Sequence, residues 1–132
     1  MGFNTRDRNF EHWIWKRSQE VRELEREGLA LTLIVTGAKS FNDKSFVNNI
    51  LDRVHRERGV AEIRYCSAVR TTYYADRWAQ SRRVRVRYVR PAEIFRQPAQ
   101  GVVAFDGPDW FVDKATDAGL RVWRVKPRPL SS

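Results

Sequence analysis

Cysteine and histidine are almost absent from this chain. The one cysteine, Cys66, excludes an intramolecular disulfide, which favours a reducing compartment and a cytoplasmic location. The two histidines, His12 and His55, lie far apart along the chain, so the close ligand spacing of a metal site is missing. We therefore predict no metal site, and we expect both histidines to lie on exposed helix surfaces.

Long apolar runs are also missing. No run approaches the ~20 residues that a membrane-spanning helix needs, and residues 1–6 contain no apolar signal core. Hydrophobic residues make up 42% of the chain and charged residues 31%, which is typical of a folded, soluble protein. The 132 residues suffice for one compact domain, with no membrane association expected.

A nucleophile paired with a base is not recognisable in the sequence. Cys66 and Ser67 have no histidine close to them in the chain. Asp106 and Asp109 are spaced as a carboxylate pair for acid–base or metal work, but the capping of loops better explains both. The sequence favours a protein without catalytic activity and without a cofactor.

Positive charge is abundant and unevenly distributed. The net charge is +9, and residues 82–97 contain six arginines and one glutamate. Residues 121–128 add four basic side chains, whereas residues 98–120 are acidic. Concentrated positive charge indicates an anionic partner, which can be a nucleotide, a nucleic acid or an acidic protein. A solvated basic face without a partner is the alternative.

Residues 31–40, LTLIVTGAKS, predict a strand buried on both faces that ends in a glycine turn. A helix pattern follows from Asp43. A strand, a glycine turn and a helix form the opening of nucleotide-binding α/β units, in which the helix amides face a phosphate. The candidate ligand-binding residues here are Gly37, Ala38, Lys39 and Ser40.

Alternating patterns along the rest of the chain predict a single Rossmann-like α/β domain. Its mostly parallel five-stranded sheet is flanked by helices, and an N-terminal helix is added to it. We divide the chain into an N-terminal helical extension (1–29), the α/β domain (30–126) and a flexible tail (127–132). The predicted helices are 7–27, Lys44–Arg58, Tyr73–Arg82 and 108–118, and the strands after the first are Val60–Tyr65, 83–90, Val102–Phe105 and Leu120–Val125.

The first helix contains two tryptophans, Trp13 and Trp15, that cannot both face the same core. We expect one of them to pack on the domain. The other is then available to a protein partner or to a second copy of the chain. This feature leaves open a homodimer or a protein-interaction factor, such as a bacterial or phage inhibitor.

Strict alternation over residues 83–90, RVRVRYVR, predicts a strand with an arginine face. A buried strand does not tolerate such a face, so we place it at or near a sheet edge. This basic strand is a candidate nucleic-acid surface, with tyrosines available to stack on bases. Its residues are Arg83, Arg85, Arg87 and Arg90, with Arg121, Arg124 and Lys126 expected on a neighbouring strand and tail, and Tyr73 and Tyr74 as stacking groups.

Three segments resemble the SLOG superfamily, which includes YspA/YpsA-related proteins, the DNA-processing protein DprA and the LOG cytokinin-activating enzymes. Residues 34–43 are similar to the family opening V-x-G-S-R-x-F-x-D. Residues 75–84 are similar to A-D-x-x-A-x-x-x-G-V, and residues 102–122 resemble the last strand–helix–strand of the family. The resemblance implies a nucleotide-binding fold, and it adds Asp76 and Gly107 to the candidate ligand-binding residues.

The chain departs from the family at both glycine-rich phosphate loops. Residues 67–74 contain no glycine, and only Gly107 follows the strand at Val102–Phe105. The glutamate that the LOG enzymes need after their last glycine loop is missing. The sequence therefore predicts a non-catalytic binding module with a diverged pocket for a nucleotide-type or other anionic ligand. The alternatives are a nucleic-acid-binding protein and a protein-interaction factor.

Overall fold

A computed structural model describes residues 5–126 of the chain, with side chains from Asn9 onward. The predicted tail at 127–132 and the first four residues of the predicted N-terminal extension lie outside these described residues. The four helices are α1 (Thr5–Arg26), α2 (Lys44–Arg58), α3 (Arg70–Ser81) and α4 (Asp109–Asp117), and the five strands are β1 (Leu31–Gly37), β2 (Val60–Tyr65), β3 (Arg85–Tyr88), β4 (Gly101–Phe105) and β5 (Val122–Val125).

The five strands form one sheet in the order β3-β2-β1-β4-β5, and every neighbouring pair is parallel. The chain builds the sheet outward from β1 to one edge and then returns to build the other half from β4. The strand order therefore reverses between β1 and β4. This arrangement confirms the predicted Rossmann-like α/β fold with an added N-terminal helix.

The central strand β1 supplies both halves of the core. Leu33 and Val35 face a cluster formed with α2 and α3, and Ile34 faces a second cluster that contains Phe111 of α4. All three β1 side chains are almost completely buried. Burial on both faces, as the unbroken apolar run predicted, is what parallel strands between two helix layers require.

The predicted bounds of α3, β3 and β5 are wrong, and β5 begins at Val122 instead of Leu120. Helix α3 begins at Arg70, three residues before the predicted Tyr73, because Thr72 Oγ1 accepts a hydrogen bond from Val69 N–H at 3.0 Å and holds residues 70–72 in a helical turn. Strand β3 is limited to Arg85–Tyr88 instead of 83–90. Arg83 has a φ of 58° and belongs to the turn that ends α3, so it takes no part in the strand.

Helix α1 packs on the amino end of the sheet and on the last turn of α2. Ile14 and Val21 are buried, and Arg17 donates hydrogen bonds to the carbonyl oxygens of His55 (2.8 Å) and Arg56 (3.1 Å). Arg17 therefore ties α1 to the last turn of α2, where His55 O also accepts a hydrogen bond from Gly59 N–H at 3.1 Å.

The two tryptophans of α1 separate as predicted. Trp13 meets the ring of His55 edge-on, with 6.1 Å between ring centroids, whereas Trp15 is 50% exposed.

The expectation that both histidines are exposed is wrong for His55, which is 1% exposed. It lies eight positions after Val47 and four after Leu51, so it continues the buried stripe of α2. Its Nδ1 accepts a hydrogen bond from Val60 N–H at 3.0 Å. Burial, reinforced by the nearby Arg17 cation, lowers the pKa of His55 from 6.5 to about 4. The imidazole is therefore neutral at pH 7.

Candidate functional site

The carboxyl end of the sheet brings together the loops that the sequence indicated. Because all five strands are parallel, the segments after β1, β2 and β4 leave the sheet at the same end. These segments are Ala38–Asp43, residues 66–69 and residues 106–108. Ligands of open α/β sheets bind at this end, where the strand order reverses.

The corner after β1 is closed by the protein's own groups. Ala38 N–H donates to Phe105 O at 3.0 Å, and the Asp43 carboxylate caps α2 by accepting from Phe46 N–H at 3.0 Å. Lys39 and Ser40 are exposed on the turn. The amino terminus of α2, which the sequence offered as a phosphate site, is thus occupied by a carboxylate.

The amino terminus of α3 is open. Its N-cap residue, Val69, has no side-chain acceptor, and its first turn contains no acidic residue. The first amides of a helix have no partner within the helix, and together with the helix dipole they attract anions. Arg70 adds a cation at the same point. The better anion-binding corner of the sheet is therefore the start of α3.

A pocket of about 390 Å³ lies beside the start of α3, within the size range of small-molecule sites. Asp76 lines it and accepts hydrogen bonds from the Tyr65 hydroxyl at 3.1 Å and from Gln80. Burial, followed by the bond to Asp76, raises the pKa of Tyr65. Tyr73 contributes an exposed ring, and the pocket is lined by Tyr65, Ala68, Val69, Arg70, Thr72, Tyr73 and Asp76.

Gly107 lies in a different pocket, of about 460 Å³, between the ends of β4 and β5. Asp109 in its wall forms a salt bridge with Arg124, and Asp106 and Lys126 add one charge of each sign. The predicted ligand-binding residues therefore occupy three places along the carboxyl end. These are the corner at Gly37–Ser40, the α3 pocket with Asp76, and the pocket of mixed charge with Gly107.

The basic strand β3 is at the sheet edge, as predicted, but its arginines have counterions. Arg85 pairs with Glu25 of α1 and lies 3.4 Å from Glu62, and Arg87 lies 3.7 Å from Glu62. The pairing with Arg85 lowers the pKa of Glu25. Glu62 is buried in β2 and was not singled out by sequence reasoning, although a carboxylate in an apolar strand beside an arginine-rich strand is a usable signal.

The remaining basic residues do not extend this surface. Arg121, Arg124 and Lys126 belong to β5 and its ends, at the opposite edge of the sheet from β3. The prediction that they occupy a neighbouring strand is wrong, because strand order depends on crossovers that local patterns do not encode. Arg83 and Arg90 are exposed at the two ends of β3. Tyr74 is half-buried, with its hydroxyl 3.4 Å from Asn42 O.

Cys66 lies at the end of β2, where it is buried, and this burial raises the pKa of its thiol. A protonated, covered thiol is a poor nucleophile. Within residues 9–126 no three histidine, cysteine, aspartate or glutamate side chains are placed to hold a metal ion. None of the helices in the described part of the chain has the length and apolar character to cross a membrane.

Comparison with protein-family models, with curated proteins and with solved structures finds no match to this chain.

Proposed function

We propose that the chain is a non-catalytic binding module for a nucleotide-type anionic ligand, held in the α3 pocket. One observation carries the proposal: the pocket has a cationic end at Arg70 and a hydrogen-bonding end at Asp76 and Tyr65. Arg70 and Asp76 are six positions apart, so about 9 Å of helix rise separates them. This span suits a phosphate at one end and the sugar of the same nucleotide at the other.

Each wall of the pocket has a role in this proposal. The ligand phosphate binds the open amides of the first α3 turn and the Arg70 guanidinium, which forms bidentate bonds with phosphate oxygens. The Asp76 carboxylate has lone pairs beyond those used by Tyr65 and Gln80, and it accepts from a ligand hydroxyl. The exposed ring of Tyr73 stacks on a base.

The resemblance to the SLOG superfamily supports this assignment. The segment that matches its A-D motif, Ala75-Asp76, lies on α3, directly after residues 67–74, which correspond to a glycine-rich loop in the family. Here that loop has no glycine, so the backbone approaches a phosphate less closely and Arg70 takes a larger share of the binding. A diverged SLOG-like pocket with retained nucleotide binding is the proposal that follows.

Isothermal titration with AMP, cyclic nucleotides and ADP-ribose tests the proposal. We expect Asp76→Asn to weaken nucleotide binding about tenfold or more, the effect of one lost hydrogen bond to a charged group. Arg70→Ala should weaken every phosphorylated ligand. Arg121→Ala removes an arginine at the far edge of the sheet and should bind as the wild type does. No binding at millimolar nucleotide, or unchanged binding by Asp76→Asn, contradicts the proposal.

A second candidate function is single-stranded nucleic-acid binding along β3. One observation favours it: the edge strand exposes the Tyr88 ring (56%) on one face and the side chains of Arg85 and Arg87 on the other. Exposed aromatic rings on a basic edge are a usual platform for stacking bases. Fluorescence anisotropy with a labelled oligonucleotide, measured from low to high salt, tests it. Absence of binding in low salt excludes this function.

A further inference from the structure

A second basic pocket lies at the amino end of the sheet, away from the α3 pocket. It has a volume of about 250 Å³ and lies between α1 and the starts of β2 and β3. Four arginines and one glutamate are among the residues that line it. Its polar and charged wall residues include Ser18, Arg22, Glu25, His55, Arg83 and Arg85.

Two of the four wall arginines have counterions within the protein. Arg82 is bound to Asp52 through two nitrogens, and Arg85 is paired with Glu25. Arg22 and Arg83, in contrast, form no salt bridge with any residue from 9 to 126. The pocket therefore retains positive charge that the described residues do not neutralise.

Arg83 has an unfavourable backbone conformation. Its φ of 58° is in the left-handed region, where a β-carbon is disfavoured and glycine is the usual residue. The turn is the standard helix ending, with Val84 N–H bound to Ala79 O at 2.8 Å, so glycine would satisfy the geometry. An arginine at a position suited to glycine indicates that its side chain has a use in the pocket.

His55 is one of the residues that line the same wall. Its Nδ1 accepts from Val60 N–H, so the proton of the neutral ring is on Nε2. That nitrogen is buried and has no hydrogen-bond partner among the described residues. Because Nε2 is closed off from solvent, an ion in the pocket cannot reach it, and the charge available to an anion is that of Arg22 and Arg83.

We infer that this pocket binds a small tetrahedral dianion, either free phosphate or the terminal phosphate of a small monoester. Arg22 from α1 and Arg83 from the end of α3 hold it, so the ion joins the N-terminal helix to the sheet. Guanidinium groups match phosphate oxygens in geometry and charge.

Thermal unfolding with and without about 10 mM inorganic phosphate, at constant ionic strength, tests the inference. This concentration is set above the expected dissociation constant. Phosphate should raise the Tm of the wild type. Arg83→Gly should raise the Tm without phosphate by about 2–4 °C, because it relieves the left-handed arginine, and it should abolish the phosphate response. A gain in stability combined with a loss of binding is not expected from a purely structural residue. Arg77→Ala, an exposed arginine of the same helix, should keep the response.

The same measurement distinguishes phosphate binding in this pocket from phosphate binding in the α3 pocket. Arg70→Ala should retain the phosphate response here while it loses nucleotide binding at α3. If Arg70→Ala loses the response and Arg83→Gly keeps it, phosphate binds at α3, and the inference is overturned while the proposed function stands. A wild type that does not respond to phosphate also overturns it. Ribose 5-phosphate distinguishes a monoester site, which responds to both compounds, from a site for the free ion.

Discussion

Gly37 lies so close to Thr71 that a β-carbon built on Gly37 would be 2.3 Å from the Thr71 hydroxyl oxygen. Gly37 ends β1, and Thr71 is a fully buried residue in the first turn of α3. The glycine that the sequence indicated as part of a phosphate corner therefore has a packing role. It allows the first turn of α3 to approach the carboxyl end of β1, beside the proposed nucleotide pocket.

Gly37→Ala should destabilise the protein by about 1–3 kcal/mol, because the added methyl group overpacks a region bounded by a branched, buried side chain. Urea unfolding measures the loss. In a Thr71→Gly background, which removes the three nearest atoms, the same substitution should cost much less. Equal losses in both backgrounds would show that the contact with Thr71 is not the cause.

The carboxylate of Asp52 holds α2 against α3. It accepts from the buried indole Nε1–H of Trp78 at 2.8 Å and from Arg82 at 3.0 and 2.9 Å. Asp52→Ala should cost about 2–4 kcal/mol, because it leaves the indole donor and the mostly buried guanidinium unpaired. Chemical denaturation followed by tryptophan fluorescence measures this loss.

A matched control for Asp52 is the exposed pair Arg53–Glu57, with a 3.4 Å contact on the outer face of the same helix. Glu57→Ala should change stability by less than about 0.5 kcal/mol, since exposed ion pairs contribute little. A comparable loss in both variants would argue against the burial of the Asp52 network as the reason.

The lowered pKa of His55 predicts that the free energy of unfolding depends on pH. Its pKa is 6.5 in the unfolded chain and about 4 in the folded protein, so between these values the unfolded state binds more protons. Its contribution is present above pH 6.5 and is lost as the pH falls toward 4. We expect a loss of about 2 kcal/mol between pH 7 and pH 5 from this group, measured by urea unfolding.

His55→Asn identifies the source of this pH dependence. Its side-chain oxygen can still accept from Val60 N–H, but the group does not titrate. The variant should lack most of the loss between pH 7 and pH 5, whereas His12→Asn, at an exposed position of α1, should keep it. An unchanged profile in His55→Asn would assign the loss to other groups.

The fold was predictable because its signals are local. The apolar run at Leu31–Val35 and the short apolar run at Val102–Phe105 are buried on both faces, and glycines mark the ends of three helices. The position of β5 opposite β3 was not predictable, because strand order depends on the crossovers. Arg83 was misplaced for a physical reason: alternation predicts a strand there, and no propensity predicts an arginine with positive φ.

The candidate site was predictable only in part. A parallel sheet, which the sequence predicted, brings the loops after β1, β2 and β4 to one end, and Asp76 lines a pocket there. The sequence indicated the α2 amino terminus as the anion-binding position. The structure favours the α3 amino terminus, because a carboxylate caps α2 and none caps α3. The sequence left the α2 cap open between Asn42 and Asp43, and the structure assigns it to Asp43. The uncapped amino terminus of α3 was missed because α3 begins at Arg70, earlier than predicted.

Glu62 is the shared counterion of the arginines at the β3 edge. Glu62 contacts Arg64, Arg85 and Arg87, and its side chain is only 12% exposed. Glu62→Gln removes this charge and leaves the guanidinium groups available to phosphates. If β3 binds single-stranded nucleic acid, the slope of log affinity against log salt should steepen by about 0.7 for each arginine released. Oligonucleotide anisotropy at several salt concentrations measures the slope. Glu25→Gln, which removes the more exposed partner of Arg85 alone, should give the smaller change, and an unchanged slope in Glu62→Gln would exclude β3 as the nucleic-acid surface.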